Sequence, residues 1–253
     1  MSVENLRSRW ARNESVLGAF VATPSPLAVE TLAHLGYDFL VLDTEHGFLG
    51  MESLVGLMQA VTGTSTAALV RIRRGALHTV GPMFDIGAAG VIMPMVESAE
   101  EARQCAAACR YPPGGTRGWG PLRASLVRPG TTEEVNDSVL CIPMIESVAG
   151  VAGADEICAV PGVDAILVGH GDLALSMGLT LGTRWPALQE AMDSVLAACT
   201  RNGLPCATFV HDAEAAGKAH ASGYRMIALG TDFGFLRAGA ATALTAARSV
   251  TTD

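Results

Sequence analysis

Short apolar runs alternate with longer stretches of helical spacing along the whole chain. Eight runs read as strands, at 16–21, 39–43, 67–72, 90–94, 139–145, 165–169, 206–210 and 226–230. Between them the spacing predicts helices over 26–35, 54–61, 98–110, 148–160, 185–201 and 213–222, with a last one at 235–249. Eight strands alternating with helices over 253 residues is the arithmetic of a (β/α)8 TIM barrel, an α/β fold, with an open doubly wound sheet as the alternative. One connection, 111–137, breaks the rhythm and opens with YPPGGTRGWGP, and ordered loops of this length are usually functional or interfacial. No linker, repeat or low-complexity segment divides the chain, so residues 1–253 read as one barrel domain.

In such a barrel, chemistry sits where strands end and the following loops begin. Those positions carry Asp43-Thr44-Glu45-His46-Gly47 after the second strand, Arg71 at the end of the third, Glu146 after the fifth and Gly169-His170-Gly171-Asp172 after the sixth. Glu146 and Asp172 end adjacent strands, so their carboxylates can converge on one cation. A site of two acids plus water suits Mg²⁺ or Mn²⁺ better than Zn²⁺. The competing reading is that each acid caps a helix start. Arg71 can clamp a carboxylate or polarise a carbonyl through its planar fork, whereas Arg73 and Arg74 read as solvated. His46, three residues after Asp43, can serve as a general base whose tautomer an acid fixes; standing alone it would read as a capping or packing histidine. Backbone amides around Gly171 and Asp172, at a helix start, can hold a substrate carboxylate.

Composition narrows the ligand. The chain has 17 Lys+Arg against 25 Asp+Glu, a net charge of −8, and no basic cluster, which disfavours nucleic acid and anionic membrane surfaces. With 49% hydrophobic residues it is no disordered chain, and no uncharged 18-residue apolar stretch predicts a membrane span. Small molecules are the default partner. The single lysine, Lys218, falls inside a predicted helix, which argues against a Schiff-base lysine and against PLP. Gly169-His170-Gly171-Asp172-Leu173-Ala174 fits the relaxed dinucleotide pattern, but Asp172 would face the pyrophosphate and Glu190 lies in a helical stretch, so NAD is not expected. The Gly230-Thr231-Asp232 turn carries an acid where a barrel phosphate site would want bare amides. The opening MSVENLRSRWARNE lacks the apolar core of a signal peptide, and the six cysteines form no C-x-x-C pair. Both features predict a cytoplasmic protein with reduced, buried thiols, Cys105 and Cys109 one helical turn apart.

Several segments, in this order, carry a family resemblance: LGYDFLVLDTEHG (35–47), LVRI (69–72), FDIGAAGVIMPMVESAEEA (84–102), RYPPGGTRG (110–118), IES (145–147) and GVDAILVGHGDLALSMG (162–178). Together they resemble the metal-dependent class II pyruvate aldolases of the HpcH/HpaI type, which include relatives acting on citrate-like and acyl-CoA substrates. The resemblance implies a (β/α)8 barrel, a hexamer with the last helix exchanged between subunits, and a divalent metal (Mg²⁺, Mn²⁺ or Co²⁺) on Glu146 and Asp172. It further implies that Arg71 binds a 2-oxo acid and stabilises its enolate, while His46 with Asp43 moves the proton of the cleaved hydroxyl. Asp85, in FDIG, matches a family acid that reaches the histidine across a subunit interface. The implied reaction is cleavage or formation of a 4-hydroxy-2-oxo acid from pyruvate and an aldehyde.

Two positions depart from the family pattern. Met144 stands where the family has a glutamine that hydrogen-bonds the oxo acid, and His170-Gly171 stands where it has proline and a small residue. Both lie at the oxo-acid end of the expected site. His170 reads either as an added ligand or proton carrier, or as a solvent-facing side chain. Two other functions stay open: a lyase or condensing enzyme on a citrate-like or acyl-CoA substrate, and a binding barrel without turnover.

Overall fold

The computed structural model describes residues 3–183 and 185–251. Eight parallel strands close a barrel in sequence order: β1 (Val16–Val21), β2 (Phe39–Asp43), β3 (Ala67–Arg71), β4 (Gly90–Met93), β5 (Leu140–Ile145), β6 (Ile166–Val168), β7 (Cys206–Val210) and β8 (Met226–Thr231). Pairing of β8 with β1 closes the ring, which removes the open-sheet alternative. The strands are buried on both faces, as parallel strands covered by helices must be.

Alternate positions of each strand serve two different cores. Phe39 and Val41, Ala67 and Leu69, Leu140, Ile142 and Met144, and Ala165 and Leu167 pack together inside the barrel. Leu40, Leu42, Val70 and Cys141 face the surrounding helices instead. Side chains alternate with period two along a strand. The next inward positions after these series are Asp43, Arg71, Glu146 and Gly169, so the register that fills the interior also carries these residues into the barrel mouth. Gly18 makes room for this packing, since a Cβ there would lie 2.3 Å from the Phe39 ring.

A helix not foreseen in the sequence, Val3–Ala11, closes the opposite end. Val3 and Leu6 are buried in the inner core, and Arg7 pairs with Asp164 at 2.6 Å. The predicted helix 148–160 is two pieces, Val148–Ala152 and Ala154–Cys158, separated at Gly153. The long connection 111–137 holds two short helices, Ala124–Val127 and Thr132–Asp137. All six cysteines are free and buried, with Cys105 and Cys109 on the helix Ala99–Cys109. No helix among the described residues is long and apolar enough to cross a membrane.

Candidate active site

A cleft of about 360 Å³ opens at the C-terminal ends of the strands, lined by residues of β1, β2, β3, β5, β6, β7 and β8 or the loops that follow them. At its β2–β3 side, Asp43 and Arg71 are register partners across the ladder. The guanidinium donates two parallel hydrogen bonds to the carboxylate, Nε to Oδ1 at 2.9 Å and a terminal nitrogen to Oδ2 at 2.7 Å. Both side chains are buried, and the Phe20 ring lies 5.0 Å from the Arg71 guanidinium carbon. Asp43 also accepts the amides of Glu45 and His46, which pins the turn that follows. These bonds fix the orientation of Arg71, and none joins Asp43 to the His46 ring.

The acid nearest that ring is Glu45, whose Oε2 lies 4.0 Å from His46 Nε2 and 3.6 Å from Arg71 Nε. Burial raises the Glu45 carboxyl above its usual range, opposed by the charges of Arg71 and His46. The His46 side chain is 64% exposed at the rim, a position from which it can exchange protons with a ligand or with water. Glu45 belongs to the strand-end motif, but its place beside the His46 ring follows from the turn geometry and not from spacing.

Across the cleft, Glu146 is buried at the end of β5. Its Oε1 accepts the amide of Met95 at 2.9 Å, while Oε2 is buried without any hydrogen-bond partner. Burial, reinforced by the charges of Asp172 and Glu45, pushes its carboxyl up to about 7 against the Met95 amide and Arg71. An orphaned buried carboxylate oxygen is costly unless something binds it. A divalent cation shared with Asp172 is a ligand of the right charge, and two carboxylates are the donor set that Mg²⁺ or Mn²⁺ prefers. The residues thus fit such a metal. Gly169 creates the space: a Cβ there would lie 2.4 Å from Glu146 Oε2 and 2.5 Å from the Met144 Cε.

Neither acid caps a helix. Ser147 caps Val148–Ala152 by accepting the Gly150 amide at 3.0 Å, and Gly169 is the cap of the helix His170–Ser176, which carries Asp172 in its first turn. His170 does not point to solvent. It is half-buried against Phe209, and burial, with His211 nearby, lowers its pKa. Phe209 and His211, at the end of β7, also line the cleft, and the inward series 207, 209 and 211 is the signal that points to them.

The remaining expectations lie elsewhere. Asp85 is separated from His46 in the single chain and pairs with Arg117 at 2.8 Å. Arg117, with a side chain 1% exposed, is held between Phe84 and Tyr111. This pair lines a separate groove of about 630 Å³, built by helices and the 116–120 loop rather than by strand ends. Lys218 is exposed on its helix and paired with Glu214. Asp232 is buried and accepts the amides of Ala22 and Thr23 at 2.9 and 3.0 Å, so the amides at that corner are already engaged.

The sequence pattern of the HpcH/HpaI aldolase/citrate lyase family matches residues 16–238. The chain belongs to this family. Among its HpcH/HpaI relatives, a hydroxypyruvate/pyruvate aldolase of Delftia acidovorans is 35% identical over 230 residues, covering 89% of this chain and 86% of that protein. A 2-dehydro-3,6-dideoxy-6-sulfogluconate aldolase of Pseudomonas putida is 33% identical over 230 residues, 89% of each chain. The crystal structure of a Burkholderia cenocepacia family protein superposes with a TM-score of 0.91 at 31% identity, covering 96% of this chain and 99% of that one. With these aldolases among its relatives, the chain is a carbon–carbon lyase of the aldolase type.

Proposed function

We propose that this protein is a divalent-metal-dependent aldolase that cleaves or forms a 4-hydroxy-2-oxo acid, with pyruvate as one product and an aldehyde as the other. The observation that carries the reading is the unpartnered, buried Glu146 Oε2 beside Asp172, facing a buried arginine held in a fixed orientation by Asp43. Glu146 and Asp172 would hold a Mg²⁺, Mn²⁺ or Co²⁺ ion, which supplies Lewis-acid polarisation of the 2-oxo group when bound.

The protein's own residues account for the rest. Arg71 is preorganised toward the site and stabilises the enolate charge that develops as the C3–C4 bond breaks, without reorganising at that moment. His46 at the rim takes the C4 hydroxyl proton, directly or through water, and Glu45 beside it stabilises the protonated ring. First-turn amides of Gly171 and Asp172 line the cleft and suit the substrate carboxylate. Met144 lines the same cleft through a thioether, so the oxo acid is held there by packing rather than by a donated hydrogen bond. An acyl-CoA or citrate-like substrate would need further cations, yet Arg71 is the one Lys or Arg among the described residues lining the cleft, and the 2-oxo acid already uses it.

We further assign the protein to the cytoplasm as a single-domain homo-oligomer, with Asp85 meeting a neighbouring subunit's histidine and the last helix exchanged. Support for the exchange is the helix Asp232–Thr251 itself, of which Asp232 alone is buried. The metal assignment is tested with Glu146→Gln and Asp172→Asn, by Mn²⁺ binding followed by electron paramagnetic resonance and by metal-dependent turnover. Both variants are expected to lose Mn²⁺ affinity and turnover by about 10²-fold or more. Full activity in either overturns the assignment.

A further inference from the structure

The cleft has a second wall that the reaction steps above do not use. Phe209 and His211 rise from the end of β7, and His170 faces them from the β6 loop. His170 stacks on Phe209 with ring centroids 6.3 Å apart and planes 20° from parallel. His211 stands edge-on to both, 5.0 Å from Phe209 and 6.4 Å from His170. Phe20 joins the wall edge-to-face, 5.7 Å from Phe209. No hydrogen bond among the described residues engages a ring nitrogen of His170 or His211, although both rings line the cavity.

The strand order decides what this wall can touch. The carboxylate pair follows β5 and β6, and the Asp43 and Arg71 pair ends β2 and β3, so a 2-oxo acid held between them occupies that part of the mouth. The sector of β7, β8 and β1 is left for the carbons beyond the bond that breaks. Its polar groups are the His211 imidazole, with His170 beside it, and the Thr231 hydroxyl, and the one lysine or arginine of the described lining, Arg71 against the Phe20 ring, is taken by Asp43 and the oxo acid. A terminal phosphate, sulfonate or carboxylate would lose water there without gaining a counter-charge. A hydroxyl group, in contrast, can both donate to and accept from an imidazole nitrogen, and the C–H face of a short carbon chain packs against Phe209.

We infer that the aldehyde partner is short, uncharged and hydroxyl-bearing, and that His211 determines this specificity, with the His170 ring packed beside it. The inference rests on the aldolase reading given above. Its test measures kcat/KM for addition of pyruvate, with Mn²⁺ present, to glyceraldehyde, succinate semialdehyde and glyceraldehyde 3-phosphate. Glyceraldehyde is expected to exceed each anionic aldehyde by about tenfold or more, the scale of one hydrogen bond made or one polar group stranded. His211→Leu should narrow that ratio, His211→Gln should keep most of it, and His211→Arg should shift it toward the anionic aldehydes. The ratio within one variant cancels a general loss of activity, and the wild-type ratio stands even if a variant fails to fold. Preference of the wild type for an anionic aldehyde, no turnover with glyceraldehyde, or a ratio untouched by His211→Leu overturns the inference. Deuterium exchange into pyruvate without aldehyde separates the two levels: exchange together with an anionic preference overturns the acceptor class alone, whereas no exchange overturns the aldolase reading and the acceptor class with it.

Discussion

Arg71 is the side chain whose environment says most about the site. A guanidinium buried this deeply is tolerated because Asp43 meets both of its donors in one plane, a geometry that lysine cannot copy. Asp43→Asn should therefore strand a buried charge, lowering stability by roughly 3–5 kcal/mol in a thermal melt. Arg71→Lys should fold yet lose about 10²–10³ in kcat/KM, because a single ammonium cannot reproduce the fork. Wild-type activity in Arg71→Lys would remove Arg71 from the role given to it. Asp43, Arg71, Glu146 and Asp172 were legible in the sequence because each follows an apolar run at a strand end. Their partnerships were not. Asp43 lies three residues from His46 in sequence but next to Arg71 across the ladder, and only pairing register reveals that. His211 was not legible for a related reason: the strand before it, CATFV, is covered on both faces and even its Thr208 is buried, so no exposed polar alternation marks which residues point inward.

At the level of elements, the site depends on the turn from β6 into the helix His170–Ser176. Gly169 lets the chain pass within reach of Glu146 without a side chain in between. Gly169→Ala should push the Glu146 carboxylate aside, reducing Mn²⁺ affinity far more than it shifts the melting temperature, as a titration and a melt on one sample would show. Affinity equal to wild type would mean that the glycine serves the backbone alone. Ser147→Ala should cost about 1 kcal/mol of stability, the usual value for a lost N-cap, read by denaturant unfolding. All eight strands stood out in the sequence, since their apolar runs and punctuation are strong. The helix Val3–Ala11 did not, because its apolar residues Val3, Leu6 and Trp10 are sparse among charges, and the break at Gly153 falls within an otherwise helical spacing.

On the scale of the whole molecule, closure of the barrel collects residues from sequence positions 20 to 231 into one cleft, while the last helix projects from it. Tyr37 and Phe235 stack at 6.3 Å near the root of that helix, and beyond them Leu236, Leu244 and Val250 are exposed. A chain lacking residues 236–253 should form smaller assemblies than the full chain by light scattering, whereas identical masses would contradict helix exchange. The central claim is that this cleft enolises a 2-oxo acid, and it can be tested without knowing the aldehyde. The measurement is exchange of the pyruvate methyl protons for deuterium in D₂O, followed by NMR, with EDTA and with added Mg²⁺ or Mn²⁺. Exchange that requires the metal and disappears in Arg71→Ala is the predicted result; absence of exchange with every metal would contradict it.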